Sequence, residues 1–327
     1  MTYSSGGLIQ ATDYNGFVST NSGANINATW NTAYGQTALG TVSAAGVVTA
    51  TQWATLNNTL TTIGNHQGTT LTSRTSPVAT NTITVLSNLG TDLGTVYTNR
   101  FNAATQGAQV INWTGTASQT GQTGNFQSAW TITFTDTVTF ANATAATNFF
   151  AAGGMMKIQF QKTSTGTSAD TDWNNFVNNI CGTVYFTSDA TTKTLVSTSY
   201  QGTKVVGGSG TPTVGTATGY NQLTTTPVTI YQQYDTTYNY TGDYVQVQAS
   251  QNGSGVLTLT TYWFSAARST SAPNRNISGG TATSAGTVTF GTAPTTVVTY
   301  IPPETTYLTS VWGTPTVASS VSATPYV

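Results

Sequence analysis

The stretch "WTITFTDTVTF", residues 130–140, constrains the fold more than any other part of the chain. Trp130, Ile132, Phe134, Val138 and Phe140 fall on one side of an extended strand, and Thr131, Thr133, Thr135, Thr137 and Thr139 fall on the other. A period of two is how a half-buried strand meets a core, which accounts for the apolar side. The opposite side is unusual. Soluble proteins cover such faces with Lys and Glu, and here the face is almost entirely hydroxyl.

The same period recurs in short runs from about Ala108 onward: "MKIQFQ" at 156–161, "GTVYFTS" at 182–188, "YVQVQAS" at 244–250, "VLTLTTYWF" at 256–264 and "GTVTFG" at 286–291. Gly, Asn, Asp and Pro punctuate them, the pattern of an antiparallel sandwich or jelly-roll-like domain. "TDWNNFVNNI", 171–180, departs from it, because Trp173, Phe176, Val177 and Ile180 fit a helical turn or two.

The first hundred residues read differently. In "TATQWATLNNTLTTIGNHQG", Thr51 stands at an N-cap position, Trp53, Leu56, Leu60 and Ile63 form one helical stripe, and Gly64 supplies a stop. A second helix is expected from about Thr82 to Ala104, with Leu86, Leu89, Leu93, Val96, Tyr97 and Arg100 at spacings of three and four. The expected fold class is therefore mainly β. A short helical N-terminal region, 1–105, would serve docking or oligomerisation through its Trp53, Leu56, Leu60 and Ile63 core. An antiparallel β-sandwich or jelly-roll-like body, 106–300, would follow, and then an extended Pro-containing C-terminal tail, 301–327.

Only 5% of the 327 residues are charged, and the formal net charge is −1. About 25% charged residues is usual. A chain this neutral lacks the electrostatic defence against self-association, so its surface is expected to be covered in use. Disorder is disfavoured by 7 Trp, 16 Tyr and 12 Phe. The opening "MTYSSGGLIQATDYNGF" carries no basic and apolar leader, and no run approaches a membrane span, so synthesis in a cytoplasm and no membrane partner are expected.

Groups able to do chemistry are few. His66, the one histidine, reads as a capping or packing residue at a helix end, and Cys181, the one cysteine, as a buried structural thiol. With one of each, a metal site of His and Cys is excluded. Asp170 and Asp172 in "SADTDW" either make a turn or ligate a hard cation, and the turn is the preferred reading. "YQQYDTTYNYTGDYVQ" places Asp235 and Asp243 among Tyr231, Tyr234, Tyr238, Tyr240 and Tyr244. Such a cluster suits either a Tyr-rich interface or the stacking of a sugar ring. No nucleotide-binding loop is present, and eight Lys and Arg in 327 residues form no basic stripe for nucleic acid. No enzyme activity and no cofactor are expected.

Residues 33–71, "AYGQTALGTVSAAGVVTATQWATLNNTL...NHQGTTL", resemble the N-terminal pattern of structural proteins from contractile-tailed bacteriophages, especially phages of marine bacteria. The matching features are Tyr34-Gly35-Gln36, Val42 to Gly46, Thr49 to Trp53 and His66-Gln67. "NFFAAGGMMKIQFQKTSTGTSADTDWNNFV", "GYNQLTTTPVTIYQQYD" and "TTYLTSVWGTPTV" are similar to the body and C-terminal end of the same proteins. The resemblance implies a virion-associated structural protein, partnered by its own copies and by other virion proteins. Its place in the capsid surface, neck, tail or fibre stays open. The leading alternative is a fibre or decoration module that binds a host receptor or glycan, and a polysaccharide-degrading spike comes third.

Overall fold

A computed structural model describes residues 10–75, 86–102, 112–118, 123–125, 130–164, 168–190, 193–195, 198–236, 242–266, 287–289 and 294–323. The N-terminal part holds α1 (Ala11–Asn15), which runs into a π-helical turn (Gly16–Thr20), then α2 (Ile26–Trp30), α3 (Ala50–Gln67) and α4 (Leu86–Thr98). The cap of helix α3 is Thr49, two residues before the expected one. Thr49 accepts from the Gln52 amide while the Gln52 side chain returns to the Thr49 backbone, a reciprocal capping box. It also runs past Gly64 and ends at Gly68, whose φ of +65° suits a residue without a Cβ. Gly64 sits inside the helix because Leu71 packs where its Cβ would be. Trp53, Leu56, Leu60 and Ile63 are buried, and Tyr14 and Phe17 meet the Trp53 ring edge-on at 5.5 and 5.9 Å.

The strands are β1 (Asn112–Ser118), β2 (Thr123–Asn125), β3 (Trp130–Thr139), β4 (Met155–Gln161), β5 (Thr183–Phe186), β6 (Lys193–Leu195), β7 (Thr198–Tyr200), β8 (Thr203–Val206), β9 (Thr213–Val214), β10 (Val228–Tyr234), β11 (Tyr244–Gln251), β12 (Val256–Ser265), β13 (Thr287–Thr289), β14 (Thr295–Ile301) and β15 (Thr316–Ala323). Two antiparallel sheets carry most of them. Sheet I has the order β1-β14-β4-β5-β8 and sheet II the order β15-β3-β12-β11-β10-β9. Helices α5 (Ala143–Ala151) and α6 (Ser168–Asn175) interrupt the strand-rich part. The chain is thus mixed in α and β content, a correction to the mainly β expectation. Helix α5 is capped by Asn142, which accepts from the Ala145 amide, and it buries Ala146, Phe149 and Phe150.

One apolar cluster takes side chains from the N-terminal helices, α5, both sheets and the C-terminal segment. Across it Phe160 of β4 stacks on Tyr231 of β10 at 5.4 Å, and the Trp263 indole of β12 donates to the Thr296 hydroxyl of β14. His66 Nε2 donates to the Ala152 carbonyl at 3.0 Å, which ties α3 to the end of α5.

Irregular backbone is held by amide side chains acting as single ladder rungs. Asn15 donates to and accepts from the Val42 peptide, Asn27 does the same at Leu39, and Gln36 at Thr309. Each clamp satisfies one backbone N–H and one C=O without burying a charge, and each hydrogen bond contributes about 0.5–1.5 kcal/mol net. The Gln36 clamp anchors the C-terminal segment, in which Leu308 and Trp312 are also buried. Beyond Pro315 the chain becomes β15, paired with β3 from Thr316↔Thr139 to Ala323↔Ile132 at the edge of sheet II.

Replacing Trp53 with Ala is expected to lower the unfolding free energy by about 3–5 kcal/mol, measured by denaturant titration. A loss below about 1 kcal/mol would contradict its place in the shared core.

Candidate functional site

The two sides of sheet II differ completely. Inward, Ile132, Phe134 and Val138 of β3, Leu257, Leu259 and Trp263 of β12, and Val245, Val247 and Ala249 of β11 are fully buried. Outward, β3 presents Thr131, Thr133, Thr135, Thr137 and Thr139, and β12 presents Val256, Thr258, Thr260, Tyr262 and Phe264. Strand β11 adds Tyr244, Gln246, Gln248 and Ser250, and β15 adds Thr316, Ala318, Ser320 and Ser322. No Lys, Arg, His, Asp or Glu occurs among these described outward residues.

Register turns this composition into rows. Thr131, Phe264, Tyr244 and Tyr234 stand side by side across β3, β12, β11 and β10. The next row is Thr133, Tyr262, Gln246 and Gln232. Tyr244 and Phe264 stack at 4.6 Å with their planes 21° apart, and Tyr234 meets Tyr244 edge-on at 5.4 Å. Burial first, then the neighbouring Tyr234 and Tyr262 phenols, raise the Tyr244 pKa above its ordinary value. Gln232 donates to the Tyr234 hydroxyl, and Tyr234 is 45% exposed. The result is an uncharged hydroxyl and amide surface with an aromatic row at one end.

The tyrosine-rich segment is divided between surface and interior. Tyr234 and Tyr244 lie on the outer face. Tyr231 is fully buried, with its hydroxyl donating to the Cys181 carbonyl at 2.7 Å. The cause is a bulge between Thr229 and Tyr231, which turns Ile230 and Tyr231 inward in succession. Asp243 is buried as a clamp, accepting from the Ser265 hydroxyl and the Ala266 amide where β12 ends. Asp235 is also buried, and its amide donates to the Asp243 carbonyl. Tyr231, Asp235 and Asp243 therefore offer no side chain to a partner. Tyr238 and Tyr240 lie outside the described residues. Phe264, Tyr262 and Gln246 belong to the row, and the sequence reading missed them because cross-strand register is not local.

The remaining chemistry-bearing residues are internal. His66 is buried against the Tyr34 ring, and desolvation lowers its pKa to about 4 despite the Ala152 hydrogen bond. It is a neutral packing residue at physiological pH. Cys181 is fully buried, and burial raises its thiol pKa beyond any useful range. Asp170 and Asp172 lie in helix α6, not in a turn. Among the described residues no cluster of three His, Cys, Asp or Glu is placed to hold a metal ion, and no helix is long and apolar enough to cross a membrane.

Asp136 is the titratable group the sequence reading passed over. It shares the inward side of β3 with Phe134 and Val138, is fully buried, and accepts from the Ser319 hydroxyl of β15. Its Oδ2 has no partner, and neither does the buried Thr261 hydroxyl on adjacent β12. Burial raises the Asp136 pKa to about 6, opposed by Ser319. No protein-family model, curated protein or solved structure matches the chain.

A carboxyl whose folded pKa exceeds its unfolded value contributes stability when protonated. For Asp136 that contribution is complete below about pH 4 and is lost as pH rises through about 6. Asp136→Asn should remove the dependence. Its unfolding free energy relative to wild type is expected to gain roughly 2–3 kcal/mol between pH 4 and 7, and a constant difference would contradict the assignment.

Proposed function

We propose that this protein is a non-catalytic structural component of a tailed-bacteriophage virion, with a β-sandwich body whose sheet II face packs against its own copies and other particle proteins. The uncharged outer face of sheet II is the observation that carries this reading. Thr, Ser, Tyr and Gln side chains each both donate and accept hydrogen bonds. A face built of them is complementary to a copy of itself, whereas a charged face would meet like charge across a two-fold contact.

Size also fits. Strands β3 and β12 are ten residues long, and at about 3.3 Å per residue and about 4.8 Å between strands, five strands cover roughly 600–800 Å². A stable interface takes about 800 Å² from each partner. Threonine loses little side-chain entropy on ordering and carries no desolvated charge into the contact. The resemblance to structural proteins of contractile-tailed phages supports a virion as the place of assembly. The common core that takes side chains from both sheets supports the sandwich reading.

The glycan-binding alternative fits the aromatic row less well. A pyranose stacks on an open ring face, but Tyr244 already has a face against Phe264 and the edge of Tyr234 beside it. Rings packed on one another form a raised apolar anchor of the kind interfaces use.

Sedimentation of the purified chain at micromolar concentration is expected to show a dimer or larger species at both low and high salt. Thr260→Lys, at the centre of the face, should weaken that association by at least about a hundredfold. A wild-type monomer, or association unchanged by the lysine, would contradict the proposal.

A further inference from the structure

Strand β15 is held differently from the strand on the opposite flank of β3. It pairs with β3 along its whole length, yet none of its residues is buried. On its inward side Val317, Ser319 and Val321 are half-buried, and its outward residues Thr316, Ala318, Ser320 and Ser322 are exposed. Strand β12, by contrast, buries Leu257, Leu259, Thr261 and Trp263. Backbone hydrogen bonds therefore hold β15, and apolar burial adds little. On its other flank β15 runs beside β1 of sheet I without ladder bonds.

The connection that delivers β15 is firm up to one point and loose beyond it. Gln36 clamps Thr309, and Leu308 and Trp312 are buried, so the chain is anchored as far as residue 312. Gly313 and Thr314 are exposed, and Gly313 has φ +67° with no atom within 4 Å of where a Cβ would stand. They make a short, unpacked pivot. Rotation at a glycine meets little steric resistance, and it would swing out eight residues of strand, about 26 Å at about 3.3 Å per residue.

The group that β15 covers gains from its departure. Asp136 accepts from Ser319, but its Oδ2 has no partner, and no charged side chain occurs on β1, β12 or β15. Opening returns that carboxyl to water. An identical strand from a second copy would rebuild the same ladder and seat the same Val317, Ser319 and Val321. Once two chains have opened, their contacts are equivalent, and proximity decides which β15 fills which flank.

We propose that β15 is an exchangeable strand that pivots at Gly313, and that a second copy of the chain supplies it to the vacated flank of β3. The proposal does not depend on the outer face of sheet II taking part in the contact.

The test uses full-length Val138→Cys and Val317→Cys variants, whose positions are register partners on the inward side. Because Val138 is fully buried, packing of outer faces cannot bring it to another chain. The two variants are mixed at high concentration, oxidised mildly and resolved under denaturing conditions. A covalent dimer is expected, with a 138–317 linkage identified by mass spectrometry of the digest. Persistence of that linkage when both variants also carry Thr260→Lys would support exchange independently of the face. A chain carrying both cysteines should form the bond internally when dilute. Absence of the linkage between chains, where the doubly substituted chain does form it, would overturn the proposal even if wild-type protein still associates in sedimentation. Should Val138→Cys not fold, or the doubly substituted chain form no internal bond, the outward register partners Thr135→Cys and Ser320→Cys in a Thr260→Lys background read the same exchange. A 135–320 linkage between chains is then expected, and its absence would overturn the proposal.

Discussion

Strand β3 is hydrogen-bonded along its length on both flanks, to β12 on one side and β15 on the other, and both sides of sheet II follow from its alternation. Its inward side chains join the common core. Its outward threonines are half-buried from residue 131 to 137 because neighbouring strands crowd them. Threonine suits that position, since the branched Cβ favours extended backbone and the hydroxyl remains available for a contact. Asp136 interrupts the inward side where the C-terminal strand joins the sheet, so the docking of β15 and the protonation of a buried carboxyl are linked through Ser319.

Scarcity of charge shapes the interior as well as the surface. Distant parts of the chain are joined by neutral groups: the amide clamps of Asn15, Asn27 and Gln36, the Gln67 amide bridging the Tyr34 hydroxyl and the Val96 carbonyl, and the neutral His66. Arg74 and Asp92 form an ion pair that joins the segment after α3 to α4. Neutral hydrogen bonds avoid the desolvation cost of a buried ion and respond little to salt. The same preference on the outer face leaves a surface with no built-in repulsion toward its own copy.

Local features were legible in the sequence. Alternation located β3, β4, β5, β11 and β12 to within a residue or two at most ends. The capping pair Thr49 and Gln52 is also legible, although Thr51 precedes the apolar stripe as well. Asp136 falls in phase with Ile132, Phe134 and Val138, so a buried carboxyl could have been read from position alone. Nonlocal features were not legible. The bulge that turns Tyr231 inward depends on pairing with β11, and the aromatic row depends on three strands being in register. The last segment reads as a Pro-containing tail, yet residues 316–323 complete an edge of sheet II, because nothing local reveals that β3 has an open flank.

A density map of the intact particle, at a resolution that separates the two sheets, tests the central claim most directly. The account predicts protein density of another subunit against Thr133, Thr135, Thr258, Thr260 and Tyr244, covering the outer face of sheet II. A particle in which that face is open to solvent, or one that lacks this chain, would contradict it.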